Sequence, residues 1–191
     1  MTDRAVFLDR DGTLIEEVGY LDRLDRMTLF PWSIDAVRLL NRAGFRVVVV
    51  TNQAGVARGL FPESFVGEAH AVMRARFAEG GATIERFYYC PHHPEATVAA
   101  YREECACRKP RPGMIWQAER ELRIDPAKSF VVGDRWIDVA MGRAAGARAV
   151  LVRTGYGRAE EPLRPAALEA DFVADTLMDA TGWILREERR V

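Results

Sequence analysis

Ala5-Val6-Phe7-Leu8-Asp9-Arg10-Asp11-Gly12-Thr13 decides how the rest of the chain is read. Its first four residues are apolar without alternation, which suits a strand covered on both faces, as in a parallel sheet. The run stops at Asp9. In an extended backbone residues i and i+2 face the same way, so Asp9 and Asp11 can point into one site. That site lies at the carboxyl end of a strand, where open α/β sheets bind ligands. Gly12 permits a sharp turn there. Two carboxylates so close are costly unless a cation or a shared proton relieves them. Mg²⁺ prefers oxygen ligands and keeps several waters, so it suits the pair. Taken alone, Asp-x-Asp is more often a strand end with solvated acids in a turn.

The same pattern recurs downstream. Val47 to Val50 ends at Thr51, Ile84 to Tyr89 reads as a third strand, and Phe130 to Val132 ends at Gly133-Asp134. Ala149 to Val152 follows, and Phe172-Val173 is a short sixth. Helices fit between them. Ser33 can cap Ile34 to Ala43, with Gly44 as terminator. Pro62 can start a helix to about Glu79, stopped by Gly80-Gly81. Pro112 to Leu122, Ile137 to Ala145 and Asp175 to Arg189 are the remaining helices, and Arg158 to Pro165 reads as a polar surface loop. The alternation predicts α/β architecture with a doubly wound, mainly parallel, Rossmann-like sheet. It occupies one domain, 1–191, with no repeat or linker. The intervals Asp11 to Thr51 and Thr51 to Lys109 are filled by these elements and leave no space for a separate cap domain. Trp32, Trp116, Trp136 and Trp183 read as packing, with Trp136 the one that could touch a substrate.

Composition excludes several classes. Lys plus Arg is 27 and Asp plus Glu 28, a formal net charge of −1. This is no generally basic nucleic-acid coat and no acidic tail. No apolar run approaches the roughly 20 residues that cross a bilayer. Met1-Thr2-Asp3-Arg4 leads straight into the first strand without a signal-peptide core. A cytoplasmic monomer without membrane or nucleic-acid partners is expected.

Three cysteines are too few for a disulfide framework and lie close together. Cys90-Pro91-His92 and Cys105-Ala106-Cys107 give two tight pairs of soft or borderline ligands. They suit a closed tetrahedral zinc site in a loop at about 90–109. His93 is a rival to His92, and three ordinary thiols are the bland alternative.

Asp9-Arg10-Asp11-Gly12-Thr13-Leu14 resembles the first motif of the haloacid dehalogenase superfamily of phosphatases. Thr51, Lys109 and Gly133-Asp134 resemble its second, third and fourth motifs, in order, over about Val6 to Gly146. The resemblance implies that Asp9 attacks phosphorus to form an aspartyl-phosphate. Asp11 would protonate the leaving oxygen and then deprotonate water. Thr51 and Lys109 would hold phosphoryl oxygens. Mg²⁺ would be held by Asp9, the Asp11 carbonyl and Asp134. Asp138 could orient the site, or could be an ordinary acid at a helix start. Zinc would be structural, fixing the loop that delivers Arg108 and Lys109.

The cysteine loop, Arg108-Lys109-Pro110 and Thr51 to Gly59 look like the D-glycero-D-manno-heptose 1,7-bisphosphate 7-phosphatases. These remove the 7-phosphate while making heptose for lipopolysaccharide or nucleotide-activated sugars. Histidinol-phosphate phosphatases share the zinc loop and compete with this reading. A bisphosphate needs an extra cation away from the reacting centre, and Arg108 is placed to supply it. Arg58 and Arg135 are weaker candidates, and position 135 is Arg where that family usually has Lys. By the same resemblance Glu17, Val18, Gly19, Tyr20, Asn52, Gln53 and Ala54 contact the sugar phosphate. The loop Ile15 to Asp25 and the zinc loop would be the only covers. A nucleic-acid 3′-phosphatase and a non-catalytic zinc-bearing binding module rank behind, since no basic aromatic stripe is present and every catalytic group is retained.

Overall fold

Six apolar runs become six parallel strands in one sheet. They are β1 (Ala5–Leu8), β2 (Arg46–Asn52), β3 (Arg86–Cys90), β4 (Phe130–Gly133), β5 (Arg148–Val152) and β6 (Phe172–Ala174). The structure, a computed structural model, describes residues 3–188; Met1, Thr2 and the Arg189 expected to end the last helix lie outside them. The helices are α1 (Ser33–Arg42), α2 (Ala54–Ala57), α3 (Glu63–Glu79), α4 (Gly113–Leu122), α5 (Trp136–Ala144), α6 (Gly157–Glu160) and α7 (Leu177–Glu188). Strand order is β3-β2-β1-β4-β5-β6, so the winding reverses between β1 and β4. That reversal opens a crevice at the strands' carboxyl ends.

Alternate residues of each strand feed opposite layers. Val6, Leu8, Val47, Val49, Phe130 and Val132 face a core shared with α1, α3 and α7. Ala5, Phe7, Val48, Val50 and Val131 face Met114, Ile115 and Ala118 of α4 and Met141 of α5. Phe7 is fully buried in the middle strand. Truncation to Ala there would cost about 3–5 kcal/mol through lost contact and the cavity left. Among the described residues no helix is long and apolar enough to cross a membrane, and no cap domain interrupts the fold.

Several local expectations need correction. Ser33 does not cap α1: its hydroxyl donates to the Leu14 carbonyl at 2.7 Å, tying the helix to the loop after β1. The third strand is displaced towards Cys90, because Ile84 packs in the core ahead of the ladder. The last helix begins at Leu177, where Thr176 Oγ1 accepts the Asp179 N–H. Arg158 to Pro165 is not a plain loop but contains α6 residues and a 3₁₀ turn over Glu161–Leu163. Trp116 is 43% exposed and so is not a packing residue. Trp136 donates from Nε1 to the Glu160 carbonyl and packs beneath β5, away from the site.

Candidate active site

The β1–β4 reversal sets two acids side by side. Asp9 follows β1 and its N–H donates to Val132 of β4; Asp134 follows β4. Asp138, one turn into α5, joins them, and carboxylate oxygens of all three lie within 4.8 Å of one another. Lys109 arrives from the loop between β3 and α4. Its Nζ is 2.8 Å from Asp9 Oδ1 and 2.6 Å from Asp138 Oδ1. The Arg10 N–H also donates to Asp9 Oδ1, which leaves Oδ2 for other chemistry. Asp138 Oδ2 accepts the Arg135 N–H, so it closes the helix start as well as holding the lysine.

Burial first, and then the neighbouring carboxylates, push Asp9 up to about 7 against the pull of Lys109. Burial, Asp9 and Asp138 push Asp134 up to about 8, against the Tyr156 N–H. Burial alone would lower Lys109, but Asp138 and Asp9 more than reverse it, so it stays an ammonium. Three buried acids facing one ammonium leave negative charge uncompensated. An all-oxygen donor set with that excess fits a hard divalent cation. Backbone close approach makes the fit possible. Gly12 has φ +76°, and a Cβ there would overlap the Asp134 carboxylate.

Asp11 stands outside this cluster. Arg10 Nε lies 3.2 and 3.1 Å from its two oxygens, and Arg10 Nη2 lies 3.0 Å from Oδ1. Gln53 Nε2 donates to Asp11 Oδ2 at 3.0 Å and to Thr51 Oγ1 at 2.8 Å. Asp9, Asp11, Thr51, Lys109 and Asp134 all open on one cavity of about 250 Å³. Glu17, Gly19, Tyr20, Asn52, Gln53, Ala54, Arg108 and Arg135 line it too; Val18 does not, packing inward against the core. Asn52 spends its amide on the Lys109 backbone, accepting its N–H at 3.1 Å. Arg108 donates to the His92 carbonyl at 3.1 Å. Arg58 is exposed, with its guanidinium over the Tyr20 ring at 5.9 Å.

The sequence reading missed two polar members of this cavity, besides the apolar Leu21, Phe61 and Ile137 and Gly55 in its wall. Arg10 is 2% exposed, and nothing in its local sequence marks an Arg for burial. Tyr156 is 43% exposed on the cavity wall, and its N–H holds Asp134. Its place just beyond β5 at the carboxyl edge could have singled it out.

The cysteine loop gathers as its spacing implied. Cys90 and Cys105 sulfurs are 3.4 Å apart, Cys105 and Cys107 3.1 Å, and His92 Nδ1 lies 3.5 Å from Cys107. Tetrahedral ligands at zinc–sulfur bond length sit roughly 3.7 Å apart. The four atoms therefore fit a metal ion. His93 is excluded from the cluster, its Nδ1 accepting the Glu95 N–H. Hydrogen bonds from Cys90, Cys105 and His92 pull Cys107 down to about 5, a ready thiolate ligand. His92 Nε2 faces Glu103 at 3.7 Å, which orients the ring.

The Hydrolase_like family model, described as HAD-hydrolase-like, matches residues 106–180. D-glycero-β-D-manno-heptose-1,7-bisphosphate 7-phosphatase of Yersinia pestis is 41% identical, over 92% of this chain and 90% of the relative. That of Escherichia coli K12 is 41% identical over 97% and 95%. The crystal structure of D,D-heptose 1,7-bisphosphate phosphatase from B. bronchiseptica, complexed with magnesium and phosphate, superposes with a TM-score of 0.86 at 32% identity. It covers 96% of this chain and 99% of that one. With this identity over nearly its whole length, and acids set at the β1–β4 reversal, the chain belongs to the heptose-1,7-bisphosphate 7-phosphatase family of HAD-like hydrolases.

Proposed function

We propose that this phosphatase removes the 7-phosphate of D-glycero-D-manno-heptose 1,7-bisphosphate, the bisphosphate named for its relatives. The observation that carries the reading is the meeting of Asp9, Lys109 and Asp134 in one cavity with Asp11 and Thr51, with Asp138 holding Lys109 from behind. Asp9 is 12% exposed and deep, whereas Arg135, Tyr156 and Tyr20 are more exposed at the mouth. A phosphate on a terminal carbon arm can reach Asp9 while the sugar ring stays at the cavity mouth.

Asp9 is the nucleophile. Its oxygen bonds to phosphorus as the bond to the sugar oxygen breaks, and that oxygen keeps the electron pair and takes a proton from Asp11. Water then attacks the aspartyl-phosphate, Asp11 takes the proton, and Asp9 leaves as carboxylate. Lys109 and Thr51 hold phosphoryl oxygens. The Gln53 amide donates to the Thr51 hydroxyl oxygen and so leaves its proton for the phosphate. Asp9, Asp134 and the Asp11 carbonyl would hold Mg²⁺, which supplies charge compensation for the phosphoryl oxygens. Support for this reading comes from the oxygens of Asp9, Asp134 and Asp138, gathered within 4.8 Å of one another, with Asp138 keeping Lys109 beside them. Glu17, Gly19, Tyr20 and Ala54 meet the sugar, Arg135 guards the mouth, and Arg108 takes the second phosphate. Cys90, His92, Cys105 and Cys107 hold zinc, a structural ion fixing the loop at 90–109 within one catalytic unit, 1–191. Free thiols gathered as ligands suit a reducing compartment, and a cytoplasmic monomer is the working state.

Phosphate release with Mg²⁺ from heptose 1,7-bisphosphate and from histidinol phosphate, side by side, tests the reading. A kcat/KM preference of about a hundredfold for the bisphosphate corresponds to roughly 3 kcal/mol. Arg108→Ala should erase it. A preference for histidinol phosphate would leave the mechanism standing and overturn both the substrate and the Arg108 role. Asp9→Asn turning over at the wild-type rate would overturn the covalent mechanism.

A further inference from the structure

Arg10 is among the largest side chains fully withdrawn from solvent, at 2% exposure. A buried guanidinium is costly unless it is paired and its donors are used. Asp11 is the only carboxylate that pairs with it among the described residues. The guanidinium meets both Asp11 oxygens and then reaches the Gln53 side-chain carbonyl at 2.9 Å. Gln53 turns its amide back to Asp11 Oδ2 and Thr51 Oγ1. The result is a closed frame of Arg10, Asp11 and Gln53, with only the Asp11 side chain partly open, at 20% exposure. Asp9 takes the Lys109 ammonium and the Arg10 backbone N–H, and Asp134 the Tyr156 N–H, so Asp11 is the only one of these acids that the Arg10 guanidinium holds.

We propose that Arg10 is the positioning residue of Asp11: its planar fork fixes the carboxylate at the cavity wall, separate from the three-acid cluster. The inference rests on the reading of Asp11 as the acid and base. Swinging out would deprive a buried cation of its only carboxylate partner among the described residues, so Asp11 is held in the one orientation that faces the cavity. Lysine offers the charge without the two-pronged fit and cannot reproduce the frame.

The test exploits leaving groups. A sugar phosphate expels an alkoxide that must be protonated as the P–O bond breaks. p-Nitrophenyl phosphate expels a stable phenolate that needs no proton. kcat/KM reports steps only through departure of that group, so it isolates the acid role of Asp11. Heptose bisphosphate and p-nitrophenyl phosphate are compared for wild type, Asp11→Asn, Arg10→Met and Arg10→Lys, all with Mg²⁺. Asp11→Asn should lower the sugar-to-aryl ratio of kcat/KM by about 10²-fold or more. Arg10→Met should lower it by about tenfold or more, and Arg10→Lys by an intermediate amount. In an Asp11→Asn background, Arg10→Lys should change the ratio no further. Equal losses on both substrates in both Arg10 variants, or an additive effect in the double variant, would overturn the positioning role and leave Asp11 untouched. An unchanged ratio in Asp11→Asn would overturn the acid role and this inference together. Arg10→Lys preserves bulk and charge, so the comparison survives if Arg10→Met does not fold.

Discussion

Asp138 Oδ1 accepts from Lys109 Nζ at 2.6 Å, with both side chains 1% exposed. The lysine sits on an irregular loop, and the aspartate sits at the start of α5, anchored by the Arg135 N–H. A regular element therefore fixes a loop-borne cation against Asp9. Removing one partner of a buried pair leaves the other uncompensated, at about 3–5 kcal/mol. Asp138→Ala should lose stability of that order in urea melts and lower kcat more than tenfold. An unchanged midpoint would mean that the pair does not form.

His70 should make the protein acid-sensitive. It is 7% exposed, stacked on Phe87 at 4.6 Å, with Nε2 buried and without a partner. Burial, and then Arg10, push it down to about 3; Arg74 adds to this and Asp11 opposes it. Between about 6.5 and 3 the unfolded chain holds a proton that the folded protein does not. Its contribution is thus present above 6.5 and is lost as pH falls, at about 1.4 kcal/mol per pH unit. His70→Phe keeps a ring for Phe87 and removes the titration. The stability of the variant relative to wild type should rise by about 1 kcal/mol between pH 6.5 and 5.5, where the unfolded ring is still taking up its proton. Asp9 and Asp134, raised in the metal-free protein, act with the opposite sign but cancel in this difference. A gap between the two proteins that stays flat with pH would show that His70 titrates normally.

What the sequence made legible follows from which interactions are local. β1, β2 and β4 could be read because burial on both faces leaves unbroken apolar runs, and the acids that follow β1 and β4 then located the crevice. The cysteine cluster could be read because ligand type and tight spacing survive any loop path. Arg10 could not, because its burial depends on Gln53, 43 positions away in sequence. The choice between His92 and His93 also waited on geometry, since only the loop's path turns one ring to the sulfurs. Ser33 misled because a hydroxyl before an apolar stripe looks like a cap, whereas a long-range carbonyl claimed it. The Glu63 carboxylate, which receives the hydroxyls of Tyr89 and Tyr101 at 2.9 Å each, was likewise invisible.

Gly12 should tolerate no side chain. Its φ of +76° is strained for an L-residue, and a Cβ would enter the space of the Asp134 carboxylate and approach Gly155. Thr154 Oγ1 donates to the Gly12 carbonyl at 2.6 Å, so the turn cannot easily move aside. Gly12→Ala should weaken Mg²⁺ at least tenfold, seen as loss of the rise in Tm that Mg²⁺ gives wild type. A full Mg²⁺ response in the variant would refute the close packing of Gly12 on Asp134.

Between Cys90 and Gly113 the only regular structure is one 3₁₀ turn, Ala99–Tyr101, yet this segment must deliver Arg108 and Lys109. Three of its internal ties gather at the cysteine cluster: Arg108 to the His92 carbonyl, Arg111 to the Cys105 carbonyl, and the Gly113 N–H to the Ala106 carbonyl, while others, such as the His93 N–H to the Tyr101 carbonyl, brace the 3₁₀ turn. Each of the three begins or ends at a metal-ligand candidate or its neighbour, so an ion bound there would tie these bonds into one unit. Wild type should carry one equivalent of zinc per chain, and Cys105→Ser/Cys107→Ser none. An ion present at 100 to 1,000 times its dissociation constant adds about 2.7–4.1 kcal/mol, so the variant should melt earlier by that equivalent. Its kcat should fall because Lys109 loses its place, although no sulfur lines the Asp9 cavity. Excess Mg²⁺ should not restore it, since thiolates prefer softer ions. A zinc-free wild-type preparation with unchanged Tm and activity would refute the metal's role, and with it the argument that the loop needs an ion to present its lysine.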